Sequence, residues 1–294
     1  MAEYLIGIDG GGSKTDFLLC DKQLNEKARR FAGRSNPNDI GIDAVAELIK
    51  ENVLALLSEN GVSASEISAA FAGIAGASND DNVVRLTAAL KSVLPNAKAE
   101  AFHDGINVLY GAFPYEDGVS IICGTGSSCF IKKGEEIIRI GGYGSFDLSG
   151  NGYEIGRAGL AHALKTIDGR AEFGIMDELI AERVGNDFLV ALDKMLIMTK
   201  NELASFAPTV FEAASRGDDA ALAIIDENMD YIAELINRAG VYFKNDYKVA
   251  LAGGIMKSEI AVSLLSTKLN SRARLIKSEI APVFGAAARA LQLL

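Results

Sequence analysis

The 294-residue sequence is poor in cysteine and histidine. Its three cysteines, Cys20, Cys123 and Cys129, form no C-x-x-C pair and lie in apolar, strand-like segments, so we expect reduced, buried thiols rather than disulfides. The two histidines, His103 and His162, are far apart in the chain, which argues against a histidine-based metal site. This composition favours a cytoplasmic protein and excludes a disulfide-stapled domain.

Positive charge and long apolar runs are also lacking. The formal net charge is −10, whereas a surface for nucleic acid or anionic lipid would carry basic clusters. No apolar segment approaches the ~20 residues of a membrane span, and residues 4–8 are too short for the apolar core of a signal peptide. We therefore expect a soluble globular protein that holds any polyphosphate through backbone N–H groups, a metal ion and a few lysines.

Residues 4–21, YLIGIDGGGSKTDFLLCD, predict a β-hairpin with an anion-binding turn. The segment is not a P-loop, because Lys14 is displaced by one position from G-x-x-x-x-G-K-S/T and a strand follows instead of a helix. It is not a Rossmann fingerprint either, since the third glycine of G-x-G-x-x-G is missing. Asp9, just before the glycines, could bond the N–H groups of the turn, but we favour a role in holding Mg²⁺ through water.

The opening pattern recurs at residues 119–142, where an apolar run ends in Cys123 and is followed by Gly124–Ser127 and a second run. The order strand, glycine and hydroxyl turn, strand, turn, strand describes residues 4–33 as well. We therefore predict two related α/β domains, residues 1–113 and 114–294, that share a cleft and each offer it a phosphate-binding hairpin. The second domain carries helical insertions, and the final helix from Pro282 could pack back on the first domain.

Two further positions leave alternatives open. Asp104 follows a strand-like segment and opens a helix, so it is either an N-cap or a general base that accepts a proton from a hydroxyl attacking a γ-phosphate. Gly253 and Gly254 follow an apolar strand and form either a tight strand-to-helix turn or a flat surface for adenine and ribose.

Taken together, the sequence resembles the BadF/BadG/BcrA/BcrD-type ATPases that include N-acetylglucosamine kinase, within the actin-like ATPase superfamily. The segments that carry the resemblance run nearly the whole length, in the order IGIDGGGSKTD, SNPNDIG, AGIAGA, FHDGINVLYGAF, IICGTGSSC, GGYG, GNGYEIGRAGLAHAL, VALAGGI and PVFGAAARAL. The resemblance implies an α/β fold with two ribonuclease H-like (actin-like ATPase) domains around a central nucleotide and sugar cleft.

The resemblance also implies roles for individual residues, with ATP and Mg²⁺ as cofactors. Asp104 would be the catalytic base, and Asp9 remains the metal residue. The nucleotide would contact Gly11, Gly12, Ser13, Lys14, Thr15, Gly124, Thr125, Gly126, Ser127, Gly253 and Gly254. The sugar would contact Asn36, Asp104, Ser127, Ser128, Gly142, Tyr143, Gly144, Asp147 and Asn151.

One loop departs from the pattern of these sugar kinases. They usually continue as G-G-W-G-x-x-x-G-D-E-G-S-G-Y, whereas this chain has GGYGSFDLSGNGY, which is one residue shorter, has Tyr143 for Trp and lacks the Asp-Glu pair. Asp147 and Asn151 are the candidates to replace that pair. The loss of two carboxylates would ease binding of an anionic sugar such as N-acetylmuramic acid.

The expected function is transfer of the γ-phosphoryl group of ATP to a hydroxyl, O6, of an amino sugar such as N-acetylglucosamine, N-acetylmuramic acid or glucosamine. We expect a cytoplasmic homodimer whose partners are the sugar and ATP, with no nucleic acid and no membrane. One alternative is an ATP-driven activator of a radical dehydratase or reductase, which would need paired cysteines for an iron–sulfur cluster. Another is a sugar-binding regulator that has lost catalysis.

Overall fold

The computed structural model describes residues 3–77, 80–147, 149–278 and 280–294. The chain divides into two compact units: unit 1 comprises Met1–Asp117 with Ser278–Leu294, and unit 2 comprises Gly118–Lys277. The division falls after residue 117, beyond the boundary expected after residue 113. Pro114 stays with unit 1, where its carbonyl accepts a hydrogen bond from the side chain of Gln292.

Unit 1 contains a five-stranded mixed sheet with the strand order β3-β2-β1-β4-β5. Its strands are β1 Tyr4–Gly10, β2 Thr15–Asp21, β3 Glu26–Ala32, β4 Ile67–Ile74 and β5 Lys98–Phe102. The first three form an antiparallel meander, β4 pairs in parallel with β1, and β5 pairs in parallel with β4. The opening β-hairpin is therefore present, as the sequence predicted.

The helices of unit 1 cover both faces of this sheet. They are α1 Pro37–Ile40, α2 Ile42–Glu59, α3 Asp80–Val93, α4 Gly105–Ala112 and, from the end of the chain, α12 Pro282–Leu291. Ile6 and Ile8 are buried in a core with residues of α2 and α3. Gly7 points to the opposite face, where a Cβ would lie 2.5 Å from the carbonyl oxygen of Val283 in α12. Because both faces are covered, β1 is an almost continuous apolar run.

Unit 2 repeats the sheet of unit 1, with the strand order β10-β9-β6-β7-β8. Its strands are β6 Gly118–Cys123, β7 Ser127–Lys133, β8 Glu136–Ile140, β9 Tyr247–Ala252 and β10 Ala273–Lys277. Again three strands form an antiparallel meander, and two later strands add in parallel. The repeat seen in the sequence is thus a repeat of sheet topology.

The helices of unit 2 are α5 Gly152–Ile167, α6 Ile175–Val184, α7 Phe188–Leu196, α8 Lys200–Ala204, α9 Ala207–Ser215, α10 Asp219–Ala239 and α11 Glu259–Lys268. The short helices α6–α9 occupy the region of the predicted insertion. In α10, Ile225, Met229, Ile232 and Ile236 are buried at helical spacing, whereas Leu222 is exposed. Within the described ranges, no helix combines the length and apolar character needed to cross a bilayer.

Candidate functional site

The turn between β1 and β2 leaves two neighbouring backbone N–H groups open. The N–H of Gly11 donates to the carbonyl of Lys14 at 3.0 Å and closes the turn. No described residue accepts a hydrogen bond from the N–H groups of Gly12 and Ser13, and both residues are exposed. Consecutive free N–H groups in a turn form a concavity that binds anions. This geometry suits a phosphate group.

The last two residues of the turn differ in what they offer a ligand. Lys14 is exposed, and its Nζ lies 5.1 Å from the ring centroid of Phe31. Thr15 is buried, and its Oγ1 donates to the carbonyl of Gly33 at 2.7 Å. Lys14 therefore leaves a positive charge at the turn, whereas the hydroxyl of Thr15 fixes the hairpin.

Asp9, near the end of β1, has a largely buried carboxylate with little support from the protein. Burial raises the pKa of Asp9 to about 7; a hydrogen bond from Asn107 opposes this effect, and the charges of Asp104 and Asp16 add to it. The Nδ2 of Asn107 donates to Oδ1 of Asp9 at 2.6 Å. Oδ2 accepts no hydrogen bond from the part of the chain that the structure describes, so it is open to a cation.

A magnesium ion fits this carboxylate. Among the described residues, no three of the histidine, cysteine, aspartate and glutamate side chains gather closely enough to hold a metal ion by themselves. Mg²⁺ needs few protein ligands, however, since it keeps several waters and binds through one or two carboxylates together with substrate phosphates. The open oxygen of Asp9, beside a turn with free N–H groups, meets that requirement.

Asp104 precedes α4 but does not cap it. Its backbone is helical, with φ −58° and ψ −24°, and its side chain accepts no hydrogen bond from the first turn of α4. Its Oδ1 is buried without a hydrogen-bond partner in the described structure, although Nδ1 of His103 lies 2.7 Å away. The same nitrogen accepts the N–H of Gly105 at 3.1 Å when the imidazole is neutral, whereas a protonated imidazole forms an ion pair with Asp104. Apart from His103, no described residue forms a hydrogen bond or ion pair with this carboxylate.

Asn36 lies at the N-cap of α1, against the segment that follows β4. Its Oδ1 accepts the N–H of Asn38 at 2.9 Å, and its Nδ2 has no acceptor within the described residues. Gly76, with φ +81°, makes room for it, because a Cβ there would lie 2.3 Å from Oδ1 of Asn36. The free amide N–H groups can donate to a ligand hydroxyl.

The turn between β6 and β7 is one residue shorter than that of the first hairpin and is likewise closed by a backbone hydrogen bond. The N–H of Gly124 donates to the carbonyl of Gly126 at 2.8 Å. The start of α5 supports the turn, because the N–H groups of Gly152 and Tyr153 donate to the carbonyls of Gly124 and Thr125 at 2.8 and 3.2 Å. The N–H groups of Thr125 and Gly126 have no acceptor among the described residues. Unit 2 thus carries a second anion-binding turn.

Lys200, the first residue of α8, places a positive charge beside this second turn. A Cβ built on Gly126 would lie 3.9 Å from its Nζ, which also lies 5.6 Å from the ring centroid of Tyr153. No carboxylate of the described chain pairs with this ammonium group. In a protein of net charge −10, an unpaired lysine above two free N–H groups marks a site for an anionic group.

A cavity of about 560 Å³ opens beside the second turn, within the ~300–1,000 Å³ typical of small-molecule sites. Most of its side-chain lining is apolar and comes from α8 and α9 and from the segment after β9. The lining residues are Gly124, Thr125, Gly152, Asn201, Ala204, Ser205, Ala207, Pro208, Phe211, Gly254, Ile255 and Ser258. The shape and composition suit a nucleobase and ribose next to a phosphate turn.

The two glycines after β9 differ in backbone conformation and in the space around them. Gly253 has φ +93°, and a Cβ there would lie 2.3 Å from the carbonyl oxygen of Cys123. Gly254 has φ −62°, nothing lies within 4 Å of the position of its Cβ, and it lines the cavity. Of the two alternatives left open by the sequence, the tight turn describes Gly253 and the open surface describes Gly254.

The GGYG loop after β8 lies against the start of β7. Gly142 has φ +72°, and its Cβ would lie 2.4 Å from the carbonyl oxygen of Ser127 and 3.3 Å from Cα of Ser128. Tyr143 is 60% exposed and faces the guanidinium group of Arg139, whose Cζ lies 5.6 Å from the ring centroid. The loop brings Gly142 next to both serines that the sequence placed at the sugar; Gly144 follows in open space.

The two candidates to replace the missing Asp-Glu pair both have structural partners. Oδ2 of Asp147 accepts the N–H of Gly142 at 2.7 Å. Asn151 is 1% exposed; its Oδ1 accepts the N–H of Glu154 at 3.0 Å and its Nδ2 donates to the carbonyl of Ser149 at 3.1 Å. Asp147 therefore holds the GGYG loop and Asn151 caps α5, while their contacts with a sugar stay predictions.

The structure assembles the predicted residues in two sets, one in each unit. Unit 1 holds Asp9, the turn 11–15, Asn36 and Asp104, and unit 2 holds the turn 124–127, Gly254 and the GGYG loop. Sequence reasoning missed Asn107, Lys200 and the apolar wall of the cavity. The three-residue spacing from Asp104 to Asn107 on one helix was a usable signal, whereas the loop and helix that carry Lys200 gave none.

A mixed sheet that occurs twice, each time with a glycine turn in its first hairpin, defines an α/β protein built on two sheets of the same topology. A solved structure from Chromobacterium violaceum, proposed to be an N-acetylglucosamine kinase, has this fold: the TM-score is 0.78 at 22% identity, covering 99% of this chain and 98% of that one. The chain belongs to the BadF/BadG/BcrA/BcrD ATPase family, whose sequence model matches residues 6–290. The family inferred from the motifs is thereby confirmed.

Two curated relatives are sugar kinases. The N-acetylmuramic acid/N-acetylglucosamine kinase of Clostridium acetobutylicum is 30% identical over 230 residues, which cover 76% of this chain and 75% of the relative. The N-acetyl-D-glucosamine kinase of Dictyostelium discoideum is 25% identical over 313 residues, with 98% of both chains covered.

Proposed function

We propose that this protein is an ATP-dependent kinase that phosphorylates a hydroxyl, O6, of an amino sugar. Membership of the ATPase family and the sugar kinase activities of the two curated relatives described above support this proposal. The single observation that carries it is the buried Oδ1 of Asp104, which accepts no hydrogen bond and lies 2.7 Å from Nδ1 of His103, at the start of a helix that also contacts Asp9 through Asn107. A free carboxylate oxygen near a metal-binding carboxylate is the arrangement that phosphoryl transfer to a hydroxyl requires.

The nucleotide would use the anion-binding turn and the cavity of unit 2. The base and ribose occupy the apolar cavity and lie over Gly254, which offers no Cβ to obstruct them. The N–H groups of Thr125 and Gly126, with Lys200, bind phosphate oxygens. The turn of unit 1 offers its own free N–H groups, those of Gly12 and Ser13, to a phosphate.

Asp9 would hold Mg²⁺ through water, using the oxygen that receives no hydrogen bond from the described chain. When bound, the ion neutralises charge on the β- and γ-phosphates of the nucleotide. Asn107 keeps the carboxylate oriented while the ion is exchanged with each nucleotide.

In the proposed reaction, the sugar hydroxyl donates a hydrogen bond to Asp104. Its oxygen attacks the γ-phosphorus, the bond from that phosphorus to the β,γ-bridging oxygen breaks, and the proton passes to the carboxylate of Asp104. The products are the sugar phosphate and ADP. Asn36 orients the sugar by donating from Nδ2 to a hydroxyl oxygen.

The loop after β8 favours sugars with a negative charge. It lacks the Asp-Glu pair of related kinases, and the remaining Asp147 is already bonded to the N–H of Gly142. The guanidinium group of Arg139 lies beneath Tyr143 in the same loop. With fewer carboxylates and a nearby cation, the sugar site would accept N-acetylmuramic acid as well as N-acetylglucosamine and glucosamine.

Release of ADP from Mg²⁺-ATP in the presence of a panel of amino sugars tests the proposal. The panel contains N-acetylglucosamine, glucosamine and N-acetylmuramic acid, each measured at low and moderate salt. We expect sugar-dependent ADP release, with N-acetylmuramic acid preferred most strongly at low salt because screening is weakest there. ADP release that no sugar stimulates would contradict the kinase, and equal turnover of neutral and anionic sugars at low salt would contradict the charge argument.

The altered loop also supports a second candidate, a sugar-binding regulator without catalysis. It predicts that calorimetry detects sugar binding while no sugar in the panel yields ADP. A cytoplasmic homodimer stays part of the proposal, and the mass measured by sedimentation equilibrium tests the dimer.

A further inference from the structure

Asn107 lies in the second half of the first turn of α4 and is fully buried. Its Nδ2 faces three acceptors: Oδ1 of Asp9 at 2.6 Å, the carbonyl of Gly73 at 3.2 Å and the carbonyl of Ile8 at 3.4 Å. An amide nitrogen has only two hydrogens, so it cannot donate a separate hydrogen bond to each of the three acceptors. The contact to Asp9 is the shortest of the three. Asp9 is therefore the principal partner of this side chain.

Glycines on two elements create the space that Asn107 occupies. A Cβ on Gly73 in β4 would lie 2.1 Å from Oδ1 of Asn107. A Cβ on Gly285 in α12 would lie 1.7 Å from the backbone carbonyl oxygen of Asn107 and 2.7 Å from the backbone nitrogen of Gly111. The amide of Asn107 thus packs closely against Gly73, and its backbone against Gly285.

The other end of the amide has no partner. Oδ1 of Asn107 is buried and accepts no hydrogen bond in the described structure. A buried polar atom without a partner destabilises the fold, so an apolar side chain would be the more stable choice at this position. The donor to Asp9 is the feature that an asparagine supplies here and an apolar residue does not.

We propose that Asn107 is a positioning residue, which fixes the metal-binding carboxylate of Asp9 relative to the helix that carries the base Asp104. The hydrogen bond that its side-chain N–H donates occupies Oδ1 of Asp9 and leaves Oδ2 to face the metal. The backbone N–H of Asn107 donates to the carbonyl of Asp104 at 2.9 Å, so one helical turn connects the two functional carboxylates. This inference rests on the proposed kinase function and names a determinant of its metal site.

Asn107→Leu removes the donor at nearly constant size, and Asn107→Ala removes it without risk of a clash. Asn52→Leu is the matched control, because Asn52 is a half-buried asparagine in α2 of the same unit that bonds the carbonyl of Leu48 and the side chain of Arg30. Binding of a non-hydrolysable ATP analogue is measured by calorimetry in EDTA and over a series of Mg²⁺ concentrations. The Mg²⁺ dependence of turnover and the KM for the sugar are measured on the same samples.

We expect both Asn107 variants to bind the analogue in EDTA as the wild type does, and to need about 10–100-fold more Mg²⁺ for half-maximal binding and turnover. The KM for the sugar stays unchanged, and Asn52→Leu shows the wild-type Mg²⁺ dependence. Unchanged Mg²⁺ dependence in the folded Asn107 variants would overturn the proposal, as would failure of both variants to fold, since Asn107 would then be structural. A wild-type protein that binds no analogue with Mg²⁺ would contradict the kinase function itself.

Discussion

At the scale of single residues, the carboxylate of Asp9 destabilises the metal-free protein as the pH rises. Its pKa is raised from 3.8 to about 7, chiefly by burial. The folded state therefore binds the proton more tightly than the unfolded chain, and this stabilisation is complete below about pH 4 and is lost as the pH passes about 7. The proposed metal-binding carboxylate is in this way destabilising when no cation is bound.

Asp9→Asn should raise the stability of the protein in EDTA at alkaline pH. The amide does not ionise, so we expect a gain on the order of 4 kcal/mol at about pH 8 that shrinks steadily toward about pH 4. Urea unfolding at several pH values measures the gain. Asp21→Asn is the control of opposite sign, because hydrogen bonds from Asn25 lower the pKa of that exposed carboxylate and its charge is stabilising at neutral pH. If the stability gained by Asp9→Asn did not grow with pH, the carboxylate of Asp9 would not be a buried, uncompensated charge.

The burial of the three cysteines disfavours an iron–sulfur cluster site. All three are buried and none forms a disulfide. Burial raises the pKa of Cys20 and of Cys129 to about 12, and that of Cys123 is raised as well. A metal or cluster ligand must be a thiolate, which these positions disfavour. The structure therefore gives no support to the alternative of a cluster-bearing activator.

At the scale of elements, the segment after β9 separates a structural glycine from a functional one. Gly253→Ala should destabilise the fold by about 2 kcal/mol or more, because the residue has positive φ and its Cβ would collide with the carbonyl of Cys123. Gly254→Ala should leave stability unchanged and weaken ADP binding, since the methyl group enters the cavity. Urea midpoints and ADP titrations compare the pair, and equal stability of the two variants would show that the Gly253 contact is wrong.

The second hairpin and α8 give a further prediction. Lys200→Ala should weaken ADP binding about tenfold, as expected for the loss of one partly exposed charge-assisted contact, and leave adenosine binding unchanged. Lys200→Arg should retain most of the affinity because the charge remains. Lys194→Ala, in α7, is the control. The role of Lys200 would be disproved if ADP and adenosine binding fell together, or if neither changed.

Local patterns and long-range contacts were not equally predictable. The hairpin of residues 4–21 was evident because glycines interrupt two apolar runs, which is a local signal. Asn107 was not recognised as a partner of Asp9, because the bond joins residues 98 positions apart. The apolar wall of the cavity was not predicted for the same reason, because Phe211 and Ile255 line it from separate elements. The role of Asp104 could not be predicted from its position in the sequence alone, because an aspartate before a helix is usually a cap and this one is not.

At the scale of the whole molecule, the sequence repeat corresponds to two sheets of the same strand order, each with an anion-binding turn in its first hairpin. The division into units also depends on the end of the chain, because α12 completes the core of unit 1 through close contacts at Gly7 and Gly285. The small residues of the final helix, in VFGAAARALQLL, had suggested that this helix packs closely. The departure of the GGYG loop from related kinases was visible in the sequence, but its internal bonds, such as that of Asp147, were not.

The most direct measurement of the kinase function compares Asp104→Asn with the wild type in turnover and in ADP affinity. The amide cannot accept the proton of the attacking hydroxyl, so we expect turnover with the preferred amino sugar to fall by roughly 10²–10⁴-fold. ADP affinity, measured by calorimetry with Mg²⁺, should remain that of the wild type, because the nucleotide contacts lie elsewhere. Near-wild-type turnover in a correctly folded Asp104→Asn variant would contradict the assignment of Asp104 as the base.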